Sequence, residues 1–160
     1  MSTKQPLSPD AAMERAFALC ARAEHCSAEI LAKLRAWGVT QQNAFKILDE
    51  LKSRRYVDDT RFANAFGRHQ AVHNRWGKRK IELALRQKQI DPSTIREALE
   101  QIEGQFLIDN LTALLKSKIR TGINIDNPKG KARLMRFAIA RGFSYDEFKS
   151  ALNALNDEND

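Results

Sequence analysis

The chain of 160 residues carries 27 Lys and Arg against 20 Asp and Glu, a formal net charge of +7, and 42% of it is apolar. That apolar share is too high for a disordered tail, and two Cys, Cys20 and Cys26, are too few for a disulfide scaffold. With no apolar leader at its start and no run of about 18 apolar residues, the chain is expected to be cytoplasmic, without membrane association, its charge suited to a polyanionic partner.

Helical signals run nearly end to end. Residues 1–9 read as a flexible N-terminal segment, closed by Ser8 as cap and Pro9 in the first turn of a helix carrying Ala12, Ala16, Leu19 and Ala23. Ser27 is the expected cap of a second helix, whose Ile30, Leu34 and Trp37 share a face until Gly38 stops it. Thr40 caps a third, with Ala44, Ile47, Leu48 and Leu51 at i, i+3, i+4 and i+7. No alternating apolar run predicts a strand, and Ile123-Asn-Ile125 is too short and isolated to seed a sheet.

The same pattern then recurs. Ala44, Ile47, Leu48 and Leu51 reappear 51 residues on as Ile95, Ala98, Leu99 and Ile102, and 53 residues further as Phe148, Ala151, Leu152 and Leu155. The preceding helix keeps register: Ile30 and Leu34 match Ile81 and Leu85, then Leu134 and Ala138. Between them, Gly38-Val39-Thr40 corresponds to Gln89-Ile90-Asp91 and Gly142-Phe143-Ser144, and Ser144 with Glu147 forms a capping box. Each unit also has a longer first helix, near residues 10–25, 59–73 and 103–120. The chain therefore reads as all-α, an elongated array of three tandem three-helix units: 10–53, 54–102 and 103–156, with an acidic tail at 157–160. Three such helices bury little on their own, so neighbouring units must lean on each other or on a partner. A monomer is expected, because intrachain packing uses the paired apolar faces.

Charge divides unevenly. Residues 54–102 hold eleven basic against six acidic residues, a net of +5, while the flanking units net +1 each. In the second unit Arg68, Arg75, Lys78, Arg79, Lys80, Arg86 and Lys88 are opposed only by Glu82. In the third, Lys116, Lys118, Arg120, Lys129, Lys131, Arg133, Arg136 and Arg141 face a single acid, Asp126. A helix-turn-helix reader would place its base-reading cations on the last helix of each trio. Here they lie on the middle helices and the loops before them, which suits phosphates or an acidic groove. We therefore take Arg68, Arg75, Lys78, Arg79, Lys80 and Lys88, with Lys129, Lys131, Arg133 and Arg136, as candidate contact residues.

No catalytic constellation emerges. Gly122 to Ala132 is spaced too widely for a phosphate loop, and Ala132 stands where a magnesium-binding hydroxyl is needed. His69 and His73 are at i, i+4 without a third ligand, and Cys20 and Cys26 read as packing residues. Asp58-Asp59 precedes a helix, where Asp59 is the expected cap. No enzyme activity, metal or cofactor is expected.

The segment Arg55-Tyr56-Val57-Asp58-Asp59-Thr60-Arg61-Phe62-Ala63 resembles the hallmark G-Y-[LIV]-[DN]-D-x-R-[FY]-A of the RecX family. Residues 22–34 resemble its R-x-x-S-x-x-E-L-x-x-K-L element, and residues 77–90 its G-x-x-x-I-x-x-x-L-x-x-K-G-I element. Arg55 and Gln89 stand where that family usually has Gly, a departure that bears on local loop geometry. The resemblance implies modular three-helix repeats that bind in the helical groove of the RecA–DNA filament and bridge its protomers. It implies lowered ATP hydrolysis, strand exchange and coprotease activity in recombination and the SOS response, with weak affinity for single- and double-stranded DNA. A basic protein binding DNA without RecA, or a helical scaffold for another acidic partner, are the alternatives. Within the hallmark, Tyr56, Phe62 and Phe66 are expected in the second unit's core, Arg61 paired with Asp58, and the motif as a whole structural.

Overall fold

A computed structural model of the protein describes residues 5–160. Residues 1–4, part of the segment expected to be flexible, lie outside the described residues. The rest of that segment is tied down: the Leu7 N–H donates to the Trp37 carbonyl at 2.9 Å, and Pro6 lies against Gly38.

Among the described residues there are nine α-helices and no strand. They run α1 (Pro9–Arg22), α2 (Ser27–Ala36), α3 (Gln41–Ser53), α4 (Asp59–His73), α5 (Lys78–Gln87), α6 (Pro92–Glu100), α7 (Gly104–Arg120), α8 (Pro128–Ala140) and α9 (Tyr145–Asp157). Helix α9 thus extends one residue into the acidic tail, where Glu158 pairs with Lys116. The predicted apolar faces point inward. Ile30 and Leu34 of α2, Ile81 and Leu85 of α5, and Leu134 and Ala138 of α8 are all buried.

One turn is built three times. Gly38, Gln89 and Gly142 all adopt left-handed backbone, at φ of 82°, 58° and 97°. The next residue, Val39, Ile90 or Phe143, donates its N–H to the carbonyl five residues back, on Leu34, Leu85 or Ala138. This is the Schellman ending, in which a left-handed residue satisfies the last helical carbonyls. Arg55 ends α3 the same way, at φ 60° with Tyr56 N–H bonded to the Leu51 carbonyl. Glycine-type geometry is therefore kept at both positions where this sequence lacks glycine.

Capping follows expectation at Ser8, Thr40, Asp91 and Ser144, and departs from it at two sites. Ser27 is the first residue of α2, and Cys26 before it is the cap, its N–H bonded to Glu29 Oε1 at 3.2 Å. Asp58, not Asp59, caps α4 by accepting from the Arg61 N–H at 3.0 Å. In both cases a contact between units, described below, moves the boundary by one residue.

The apolar residues form two cores. Helices α1–α3 close around Ala12, Ala16, Ile30, Leu34, Ile47 and Leu51, and Val57 joins them. Helices α4–α9 share one continuous core running from Phe62 and Ile81 to Leu111, Phe143 and Phe148. The second and third units thus solve the small-core problem by merging. The molecule nonetheless exposes 10498 Å² at a mass of 18.2 kDa, against about 8,100 Å² typical of a compact monomer of that mass. The excess surface is that of an elongated array.

Candidate polyanion-binding surface

The junctions between units decide where the basic residues meet. At the first, the Ser27 N–H at the start of α2 donates to Asp59 Oδ1 at 2.8 Å, so Asp59 caps a helix of the preceding unit. Arg61 donates from Nε to Glu24 Oε1 at 2.7 Å and from its guanidinium to the Arg55 carbonyl at 3.1 Å. The expected side-chain pairing with Asp58 is absent because Glu24, across the junction, takes the guanidinium; that hydrogen bond raises the Arg61 pKa further. The buried Cys26 thiol faces the Lys88 carbonyl at 3.8 Å, so the start of α2 meets the C-terminal turn of α5.

The second junction repeats this arrangement with backbone groups. The N–H groups of Gly77 and Arg79, at the start of α5, donate to the carbonyls of Arg141 and Gly142 at 2.9 and 3.1 Å. Helix α5 has no side-chain cap, and the C-terminal turn of α8 supplies what is missing. A Cβ on Gly77 would lie 2.3 Å from the Gly142 carbonyl carbon, so the approach depends on glycine there. Arg141 completes the contact by donating to the Asn74 carbonyl at 2.7 Å while lying over the Phe137 ring. Middle helices therefore meet N-terminus to C-terminal turn, α2 on α5 and α5 on α8.

This geometry brings most, but not all, of the candidate residues together. Arg75, Lys78, Arg79 and Lys80 gather around the first turn of α5, beside the last turn of α8. Lys129, Lys131, Arg133 and Arg136 lie exposed along α8, which contains no acid, and none of them is ion-paired among the described residues. Acids usually occupy the first turn of a helix, where they complement its dipole. The first turns of α5 and α8 hold none, and Lys and Arg stand there instead. Side-chain charge thus adds to the positive helix ends, an arrangement that attracts an external anion.

Two candidates are placed elsewhere. Lys88, at the other end of α5, pairs with Glu29 at 3.8 Å and lies over the Phe62 and Phe66 rings, within the first junction. Arg68, on α4, lines a groove with Val72, Ile102 and Phe106. Lys80 in turn lies over Trp76, its Nζ 4.6 Å from the ring centre. Phe62 is buried as expected and stacks on Phe66 at 5.8 Å. Tyr56 is not a core residue of the second unit: it is 41% exposed and packs edge-on against Phe17 of the first, at 4.8 Å. Its backbone ends α3, and that holds its side chain on the α1 side.

Sequence reasoning missed Arg141 as a junction residue and Gly77–Gly142 as the contact itself. Their only signal is the glycine at each position, since the partners are about 65 residues apart. No group of three or more His, Cys, Asp or Glu side chains suited to a metal ion occurs among the described residues.

Fold and surface together define a modular all-α protein of tandem three-helix units with a cationic face spanning two of them. Comparison with known proteins agrees on the three-helix architecture. The family model for the second three-helix domain of RecX matches residues 58–99, and that for the third matches residues 107–152. "Regulatory protein RecX" of Vibrio parahaemolyticus is 31% identical over 141 residues, spanning 88% of this chain and 88% of its own length. Its counterpart in Acinetobacter baylyi is 29% identical over 143 residues, or 89% and 87% of the two chains. The crystal structure of RecX from Lactobacillus salivarius matches with a TM-score of 0.84 over 92% of this chain and 96% of that one, at 18% identity, a likeness of fold. The chain belongs to the RecX family of regulatory proteins.

Proposed function

We propose that this protein is a non-catalytic regulator that binds in the helical groove of the RecA–DNA filament and lowers RecA's ATP hydrolysis, strand exchange and coprotease activity. The observation that carries this reading is the continuity of the cationic face: the C-terminal turn of α8 caps α5, so the basic residues of two units meet across one junction. An elongated chain of small units can follow a helical path, and its cations then face acidic RecA surface, DNA phosphate, or both. Site of action is the cytoplasm, where RecA and DNA are found; no described helix is long and apolar enough to cross a membrane. It acts as a monomer in this reading, which the two cores packed within the chain support.

The same charge favours a second reading, in which the protein covers DNA without RecA. Two double variants test the first: Lys78→Ala with Arg79→Ala, and Arg133→Ala with Arg136→Ala. Lys80 and Lys88 are left intact because they pack on aromatic rings. Both variants should keep the wild-type melting temperature, lose at least about tenfold in filament affinity, and show a shallower salt dependence on DNA. Full filament inhibition by both would place the contact on another face.

A further inference from the structure

One contact is made at the end of every middle helix, and at one of them the donor is of a different kind. The residue before each left-handed turn, Trp37, Lys88 or Arg141, offers its carbonyl to a donor from an earlier segment. At Arg141 the donor is the Gly77 N–H at 2.9 Å, and at Lys88 it is the Cys26 thiol at 3.8 Å. Both donors lead directly into a middle helix, α5 or α2. At Trp37 the donor is the Leu7 N–H at 2.9 Å, in a segment that leads into a first helix, α1. Pro6 presses on Gly38, where a Cβ would lie 2.8 Å from the Pro6 Cβ, much as Lys80 presses on Gly142. Gln5–Leu7 therefore stands where the start of a middle helix stands at the other two turns.

The substitute fits loosely. A cavity of about 560 Å³ remains beside it, lined by Leu7, Trp37 and the exposed Arg15 and Arg35. Neither arginine is ion-paired among the described residues, and Arg15 lies over the Trp37 ring. The first junction shows what a cation does at such a turn: Glu29, in the first turn of α2, pairs with Lys88 at 3.8 Å. The other middle helices of this chain do not suit Arg15 and Arg35. The first turns of α5 and α8 hold Lys and Arg without an acid, and the Asn124 carbonyl already covers Gly130, the α8 counterpart of Gly77. We propose that the turn after α2 is a binding site for the acidic first turn of a helix in another protein, with Gln5–Leu7 a strap that fills it from within the chain. Acids are usual in a first turn, where they complement the helix dipole. A free N–H of that turn would replace Leu7 at the Trp37 carbonyl, and its carboxylates would meet Arg15 and Arg35. The site is separate from the cationic α5–α8 face and does not rest on the filament reading.

A tethered strap competes at a high effective concentration, so its removal should raise affinity for an outside helix start. The probe is a fluorescently labelled peptide of residues 74–88 carrying Lys78→Glu, Arg79→Glu and Lys80→Glu, read by anisotropy. The chain lacking residues 2–7 should bind it at least about tenfold more tightly than the full chain does. Arg15→Ala with Arg35→Ala should abolish that gain, and the peptide of residues 74–88 with its own Lys and Arg should show none. Pro6→Gly with Leu7→Ser, which loosens the strap without shortening the chain, should reproduce the gain, so the test stands even where the shortened chain melts early. Binding through the cationic α5–α8 face would be the same with and without the strap, and equal affinity in the full, shortened and loosened chains would overturn the proposal. Association of the shortened chain with itself in sedimentation would assign the site to a second copy and would overturn it as well.

Discussion

At the scale of single residues, Phe62 shows how a family hallmark can be structural. It is 7% exposed, stacks on Phe66 and carries the Lys88 ammonium 5.7 Å above its ring, so the side chain knits α4 to the end of α5. Phe62→Ala should lower stability by roughly 3–5 kcal/mol in urea unfolding. An unchanged midpoint with lost RecA inhibition would make Phe62 a contact residue instead. Gln89 holds left-handed backbone at φ 58° without being glycine, a conformation that costs a side chain about 1–2 kcal/mol. Gln89→Gly should therefore stabilise the protein by about 1 kcal/mol, net of glycine's greater freedom when unfolded, whereas Gln89→Val should destabilise it. Cys26 gives a pH dependence. Burial pushes its thiol from 9.0 up to about 11, so the fold favours the neutral form. That contribution is complete below pH 9 and is lost as pH rises towards 11. The stability of wild type should fall relative to Cys26→Ala between pH 8 and pH 11, and parallel curves would count against it.

At the scale of elements, the helices and their buried faces were readable because apolar spacing of three and four residues leaves few alternatives. The caps were readable only where a single candidate stood. Asp58 and Asp59 are both capping residues, and the choice between them is made by the start of α2, which takes Asp59 and leaves Asp58 for α4. Likewise Arg61 had an acid nearby in sequence and a better-placed one, Glu24, across a junction. Contacts between residues 30 to 65 positions apart follow no local rule, so the head-to-tail meeting of α2, α5 and α8 was not legible. Its weakest point can be tested: Gly77→Ala places a methyl group against the Gly142 backbone and should cost about 1–3 kcal/mol. Urea unfolding measures that loss, and wild-type stability would mean that the junction is held elsewhere.

At the scale of the whole molecule, the internal repeat disclosed the architecture, and charge counting picked out the two units with cationic middle helices. What sequence could not weigh was which cations remain available. Lys88 counted equally with Arg133 and Arg136, yet it is held in a junction by Glu29, while the other two stay exposed. Exposure was likewise hidden, since an exposed Phe45 and a buried Phe148 look alike until the fold separates them. The central claim is action on the filament, and RecA's single-stranded-DNA-dependent ATP hydrolysis tests it most directly, with this protein titrated well below one copy per RecA. Strong inhibition at those low ratios is the predicted result, because a chain seated in the filament acts on many protomers. Inhibition that appears only at amounts sufficient to cover the DNA, and that vanishes with modest salt, would contradict it and leave a simple DNA-binding protein.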